Sequence, residues 1–248
     1  MLKFKGNEVT AVNLCEMIQK RRSVRKYKAD ILDDICRRQI LETATKCKPL
    51  VEGIAVKFEF ADREEVKSMM PFVPPQVLCI YSEEKEGYLE NAGFLMQQMD
   101  LYLQQQGFGT CWLGLGKPGA VTDRLDDLKF VMMLCVGKTD VPLRDGAKDF
   151  NRKPLLEICD SEDLRLEAAR LAPSSINSQP WFFSHDGELI HVYCGGGVLK
   201  PFLQKMNRMD IGVALAHLYV SYPDSFLFER KAAPKLPGKR YIGSVKLQ

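Results

Sequence analysis

Glu167 to Trp181 reads EAARLAPSSINSQPW and places Ser174, Ser175, Asn177 and Gln179 in one short loop. Hydroxyl and amide groups at that spacing form a polar clamp suited to a flat, heteroatom-rich ligand. A plain Ser/Asn/Pro connector has the same composition, and the segment alone leaves both readings open. Pro173 fits a helix stop, because proline cannot donate the backbone bond that continuation needs. Pro180 predicts an extended Gln179 before a strand that opens at Trp181.

A second group is basic. Arg21, Arg22, Ser23, Arg25 and Lys26 form RRSVRK, and guanidinium forks beside a hydroxyl suit a phosphate. A solvated basic face is equally compatible with the cluster itself. No aromatic residues interleave with these charges, which weakens a nucleic-acid reading. A third group, GFGTCWLGLG from Gly107 to Gly116, has glycines that let a backbone approach a planar ligand and expose N–H groups to it. Its other reading is a helix-to-strand turn with Trp112 and Leu113 packed in the core. It has neither GxGxxG spacing nor the Lys-Ser/Thr of a phosphate-binding P-loop.

Reactive side chains are scarce. His185, His191 and His217 show no HxxxH or HExxH spacing, so no metal site is expected. There is no GxSxG elbow, and no cysteine stands in a nucleophile signature. Binding groups without an acid, base or nucleophile point to a cofactor that carries the reaction while the protein supplies orientation and electrostatics.

Helices and strands must position these groups. The spacing predicts helices over Ala11 to Arg22, Leu32 to Thr45, Glu90 to Gln106, Glu162 to Leu171 and Met209 to Val220. The third of these ends at Gly107 as its cap. Strands are predicted at 56–60, 77–81, 130–137, 181–184, 189–193 and 241–247, with VLCIY apolar enough to be buried on both faces. ILETATKCKPLVEGIAVKFEF and LRLEAARLAPSSINSQPWFFS read as one helix-loop-strand plan written twice, with only the second copy keeping the polar loop.

The chain has 248 residues, 46% of them hydrophobic, and a formal net charge of +3 from 35 basic and 32 acidic residues. Such a chain fills a sizeable core and carries no global field for nucleic acid or an anionic membrane. No run reaches the roughly 18 apolar residues that span a bilayer, and MLKFKGNEVTAVNLCEM has no leader-like apolar region. Eight scattered cysteines without CxxC pairs are expected to be reduced core residues of a cytoplasmic protein.

RRSVRKY after an opening helix, GFGTCWLG after a long one and PSSINSQPW after EAARLA together resemble the FMN-dependent nitroreductase family, PSSxNxQPW being the most specific of the three. The resemblance implies an α+β fold, a three-layer α/β/α sandwich. In family homodimers the flavin lies at the dimer interface, between the R-x-S-x-R motif of one subunit and the PSSxNxQPW loop of the other. Here both motifs stand in one chain and far apart. This implies two fused similar halves, 1–155 and 156–248, forming an internal pseudo-dimer similar to the Thermotoga-type proteins, with one FMN per chain.

By this resemblance Arg21, Arg22, Ser23 and Arg25 hold the phosphate and ribityl end. The backbone of Gly107, Phe108, Gly109 and Thr110 approaches the isoalloxazine. Ser174, Ser175, Asn177 and Gln179 lie against the ring or its edge, with Pro173 shaping their loop. The closing segment GKTDVPLRDGAKDFNRKPLLEIC adds an arginine to the phosphate, Arg152 as the better match and Arg144 second. Where the family has an Asn or Lys at the pyrimidine edge, either Gln76 takes the place or the contact is missing.

The implied activity is oxidation of NADH or NADPH and reduction of an electron-poor small molecule, such as a nitroaromatic or quinone, in ping-pong order with no catalytic side chain. The alternative is a non-catalytic flavin-binding or ligand-sensing module. A monomeric pseudo-dimer with neither nucleic-acid nor membrane partner is expected, and further self-association is left open.

Overall fold

The computed structural model describes residues 11–72, 74–119, 124–195 and 201–247. Residues 1–10, which hold most of the N-terminal stretch read as leader-free, lie outside them, as does Val73 of PFVPPQVLCIY.

The elements run α1 (Ala11–Lys20), α2 (Asp34–Ala44), β1 (Val56–Asp62), β2 (Val66–Ser68), β3 (Gln76–Ser82), α3 (Tyr88–Gln105), β4 (Phe108–Trp112), β5 (Gly116–Pro118), β6 (Arg124–Leu125) and β7 (Leu128–Lys138). They continue with α4 (Leu155–Ile158), α5 (Glu167–Arg170), β8 (Trp181–Asp186), β9 (Leu189–Cys194), α6 (Pro201–Ser221), β10 (Leu227–Glu229) and β11 (Arg240–Lys246). Asp33 caps α2 by accepting the Cys36 amide at 2.8 Å, and Gly107, at φ +87°, closes α3 in the left-handed conformation a glycine tolerates.

The fold is α+β. One antiparallel sheet has the order β1-β3-β7-β4, with β6 added on β7; the other has the order β8-β9-β11-β10. A small β2-β5 pair lies apart from both. In each large sheet two strands are followed by a long helix, then an edge strand, then a strand that returns between the edge and the second strand. The sequence pattern of one helix-loop-strand plan written twice therefore extends to the whole strand order.

The long helices α3 and α6 form the centre. Met96, Met99 and Leu103 of α3 share a core with Leu78, Ile80, Leu134 and Val136 of the first sheet. Ile211, Ala214, Leu215 and Leu218 of α6 share another with Phe183, Ile190 and Val192 of the second. Each of these side chains except the small Ala214 contributes about 1.5–3 kcal/mol by leaving water. The helices also exchange side chains: Phe94 of α3 belongs to the second core, and Met206, Met209 and Val220 of α6 belong to the first.

The crossing is reciprocal. A Cβ at Gly93 would run into the Met209 carbonyl, and a Cβ at Gly212 into the Glu90 carbonyl. Each helix also holds a loop. The Asn91 Oδ1 accepts the Leu50 and Val51 amides at 2.8 and 3.2 Å, and Asp210 accepts the Ser175 amide at 3.1 and 3.0 Å through its two oxygens.

Several expectations change. The helix read over Glu162 to Leu171 is a 3-10 turn at Leu164–Leu166 and a short α5, because the Asp163 side chain accepts the Arg165 amide and starts the turn late. FGTCW, Phe108 to Trp112, is strand β4, since its backbone pairs with β7. The helix α1 ends at Lys20, and the basic motif beyond it runs beside β4, Ser23 bridging Thr110 and the Val24 amide donating to the Thr110 carbonyl at 2.8 Å. The last long helix starts at Pro201, earlier than Met209. All eight cysteines are free, Cys15 exposed and six others buried. Among the described residues no helix is long and apolar enough to cross a membrane.

Candidate functional site

The basic motif, the exit of β4, the polar loop and α6 meet at a cavity of about 260 Å³. Ser23 and Arg25 line it from one side, Pro173, Ser174 and Ser175 from the other. These are five of the residues expected from sequence, drawn from two segments far apart in the chain. A second cavity of about 400 Å³ lies across the loop and is bordered by Gln179, Lys153 and Trp181; Ser175 and Ile176 border both. Although the larger of the two, it does not reach the basic motif.

The polar loop is held against its own preferences. Ile176, Asn177 and Gln179 have φ of 49°, 59° and 47°, a left-handed region that L-residues, and β-branched ones above all, avoid. The extended Gln179 expected before Pro180 is therefore overturned. Its amide donates to the Ser174 hydroxyl at 2.9 Å, its Oε1 accepts the Lys153 amide at 2.8 Å, and its Nε2 donates to the Asn177 carbonyl at 3.2 Å. Together these outweigh the local steric bias. Strain stored by a tied loop is characteristic of binding sites. Ile176, 87% exposed, gains nothing from burial. Its replacement by Asn, which tolerates this conformation, is expected to stabilise the protein by about 1 kcal/mol, raising Tm by about 2–4 °C in a thermal melt.

Arg21, Arg22, Arg144 and Arg152, like Asn177, line neither cavity; the four arginines form a cluster that adjoins Ser23 along the chain. The Arg144 Nη1 donates to the Arg21 carbonyl at 2.5 Å, and the Arg22 Nη1 to the Pro142 carbonyl at 3.1 Å. The Arg152 Nη1 donates to the Asn177 Oδ1 at 2.7 Å, tying this cluster to the polar loop. Phe150 lies under both guanidiniums, 4.2 Å from Arg144 and 5.3 Å from Arg152. Burial, followed by the charges of Arg21, Arg144 and Arg170, pushes Arg152 down to about 10. Arg144 is lowered by burial and by Arg21 and Arg22. The Arg21 Nη2 and the Arg152 Nε are buried with no partner among the described residues. Clustered cations that repel one another and retain unspent donors fit an anion such as a phosphate.

Arg21 is 1% exposed, and its Nε donates to the Asp100 Oδ2 at 2.9 Å. Asp100 also accepts the Gln97 and Gln104 amides at 3.1 and 3.0 Å and the Thr110 hydroxyl. Gln104 accepts the Arg22 amide at 2.9 Å, and Gln97 accepts the Trp112 indole N–H at 3.2 Å. The Gln97 Nε2 also lies 3.1 Å from the Nε2 of His217, whose Nδ1 lies 2.9 Å from the Ala168 carbonyl. A carbonyl only accepts, so Nδ1 carries the proton and Nε2 accepts from Gln97.

Burial, aided by Arg21 and Arg152, pushes His217 down to about 3. The unfolded chain takes up this proton near pH 6.5 and the folded chain not until about pH 3, so His217 removes stability on acidification across that window. Relative to a His217→Gln variant, the wild-type urea midpoint is expected to fall as pH drops from about 6.5.

Gly107, Phe108, Gly109 and Thr110 line neither cavity. Phe108 and Thr110 are buried, and Gly109 lies against Val24 and Thr139. The lining starts one residue later, with Cys111 and Trp112, and resumes at Gly114 and Leu115. Gln76 is remote from the cavity lining: its Oε1 accepts the Leu32 amide at 3.1 Å and Arg37 at 2.9 Å. Asp100, Gln97 and Asp210 were not expected. Their one signal was polarity inside otherwise apolar helices.

Two antiparallel sheets of matching order around paired helices, with a basic motif and a strained polar loop facing one cavity, define a nitroreductase-like α+β protein. The chain belongs to the nitroreductase family described as "Putative TM nitroreductase", whose model matches residues 13–222. A crystal structure from Thermotoga maritima MSB8 is similar over 99% of this chain and 97% of that one, with a TM-score of 0.63 and 18% identity, a likeness of fold. An FMN-dependent nitroreductase from Clostridium difficile R20291 matches 57% of this chain and 97% of its own, with a TM-score of 0.45 and 16% identity. A nitroreductase with bound FMN from Desulfitobacterium hafniense DCB-2 matches 57% and 98%, with a TM-score of 0.43 and 13% identity. Comparison with curated proteins gives no match.

Proposed function

We propose that the chain is an FMN-dependent oxidoreductase that oxidises NADH or NADPH and reduces electron-poor acceptors such as nitroaromatics or quinones in ping-pong order. The observation that carries this reading is the meeting of Ser23 and Arg25 with Pro173, Ser174 and Ser175 at one cavity, with an arginine cluster adjoining Ser23 along the chain that has buried, unspent N–H groups. FMN, when bound, supplies the redox chemistry that no side chain here offers. Arg21, Arg22, Arg144 and Arg152 hold its phosphate, with Asp100 fixing Arg21. Ser174 and Ser175 orient the ring, and the Arg152 bond to Asn177 couples phosphate binding to the loop.

Residues 1–155 and 156–248 act as the two halves of an internal pseudo-dimer. The repeated strand order, the reciprocal Gly93 and Gly212 contacts and the matched Asn91 and Asp210 support this. One flavin per chain follows. In the first half Leu50 and Val51 stand where the second has its serines, and the Arg230 guanidinium packs against Gly87 close to Val51.

The test is a visible spectrum of the purified protein with added FMN, then NADH and NADPH oxidation with a quinone. Expected are a bound-flavin spectrum and acceptor-dependent turnover. Protein that binds no FMN sinks the reading. FMN bound without turnover favours a ligand-sensing module.

A further inference from the structure

Asp210 lines the cavity from α6 and is 6% exposed. Its two oxygens share one donor, the Ser175 amide, at 3.1 and 3.0 Å. A carboxyl group has about four acceptor positions, so most of its hydrogen-bonding capacity is unspent among the described residues. The matching position of the other half supplies an internal comparison. Asn91 holds its own loop through two backbone amides, so anchoring a loop from this place needs only an amide oxygen. What an acid adds is a titratable O–H.

We propose that Asp210, besides anchoring Ser175, is a hydrogen-bond donor to the ligand of the cavity, directed at an acceptor heteroatom of a flat polar ring. The ligand is FMN if the proposed function holds, and that part of the inference rests on it. Burial, opposed only by the Ser175 amide, pushes the Asp210 carboxyl up to about 8, so the donor form predominates at neutral pH. Other groups facing this region are Arg25 and Cys111 across the cavity and the Cys194 thiol of β9. Cys194 is itself pushed up to about 12 by burial and by Glu90 and Asp210. The two thiols are neutral, and the one lowering influence on Asp210 is the Ser175 amide.

The test compares wild type with Asp210→Asn, which keeps an anchor oxygen and an N–H donor but cannot ionise. Without any ligand, infrared spectra at pH 7 should show a carboxylic-acid carbonyl band in wild type that Asp210→Asn lacks. The folded pKa lies above the unfolded one, so this group's stabilisation is complete below about pH 4 and lost as pH rises to about 8. The wild-type folding constant should accordingly fall up to about tenfold per pH unit against the variant. With FMN added, wild-type affinity should fall about tenfold per pH unit above pH 8, and Asp210→Asn should lack this decline. FMN bound with one pH profile in both proteins, or no acid band in wild type, overturns the Asp210 assignment alone. A wild-type protein that binds no FMN overturns the flavin reading and the ligand assignment with it.

Discussion

Arg144→Ala combined with Arg152→Ala is expected to weaken FMN binding by about 10²- to 10⁴-fold. A hydrogen bond to a charged group is worth about 1.5–3 kcal/mol, and each 1.4 kcal/mol is tenfold in affinity. Riboflavin, which has the ring and ribityl chain without the phosphate, should lose less than about tenfold, because Ser174 and Ser175 are unchanged and are reached only indirectly, through the Arg152 bond to Asn177. The ligand-free protein should tolerate the change. Both guanidiniums are already disfavoured by burial and by neighbouring arginines, so removing them relieves repulsion that phosphate would otherwise relieve. Arg21 is left in place deliberately. Its loss would strand Asp100, fully buried, without its charged partner, a change that destabilises by about 3–5 kcal/mol and would confuse folding with binding. Fluorescence titrations of both flavins decide the matter. Equal losses for FMN and riboflavin, or unchanged FMN affinity, would show that the phosphate lies elsewhere.

The parts of the fold that a sequence reveals are those decided locally. The apolar stripe of α3 and the continuous apolar run of β3 both state their burial in their own composition, and both form where expected. PSSINSQPW and RRSVRK were legible as binding groups because serines, amides and arginines at short spacing have few other uses in combination. The rest depended on residues far apart in the chain. Asp100 reads as an ordinary helix residue until Arg21, 79 positions earlier, is folded against it. Asp210 gains meaning from the Ser175 amide and from its comparison with Asn91. GFGTCW has the small residues of a loop, yet past Gly107 it becomes a strand because β7 on one side and the RRSV segment on the other use its backbone groups. Gln179 shows the same ordering of forces: the proline after it sets a local preference, and three hydrogen bonds from its amide and side chain override it.

Gly212→Ala is expected to destabilise the protein by about 4 kcal/mol or more, an unusually large effect for one methyl group. Overpacking in cores commonly takes about 1–3 kcal/mol, because neighbouring side chains rotate away. Here the added Cβ meets the Glu90 carbonyl and the Phe94 amide, backbone atoms of α3 that cannot rotate away without parting the helices. Gly93→Ala meets the Met209 backbone in the same manner and should lose a similar amount. The two changes should not add: whichever comes first opens the crossing that Gly93 and Gly212 share, and the second then enters space already made. A double variant well short of the summed losses, measured by urea unfolding, would establish that both glycines serve one symmetric crossing. Strict additivity would mean that the two contacts yield independently and that the helices do not behave as an interface. Because Asp210 lines the cavity from α6 two residues before Gly212 and holds the Ser175 amide, either single variant should also weaken FMN binding at temperatures where it is still folded.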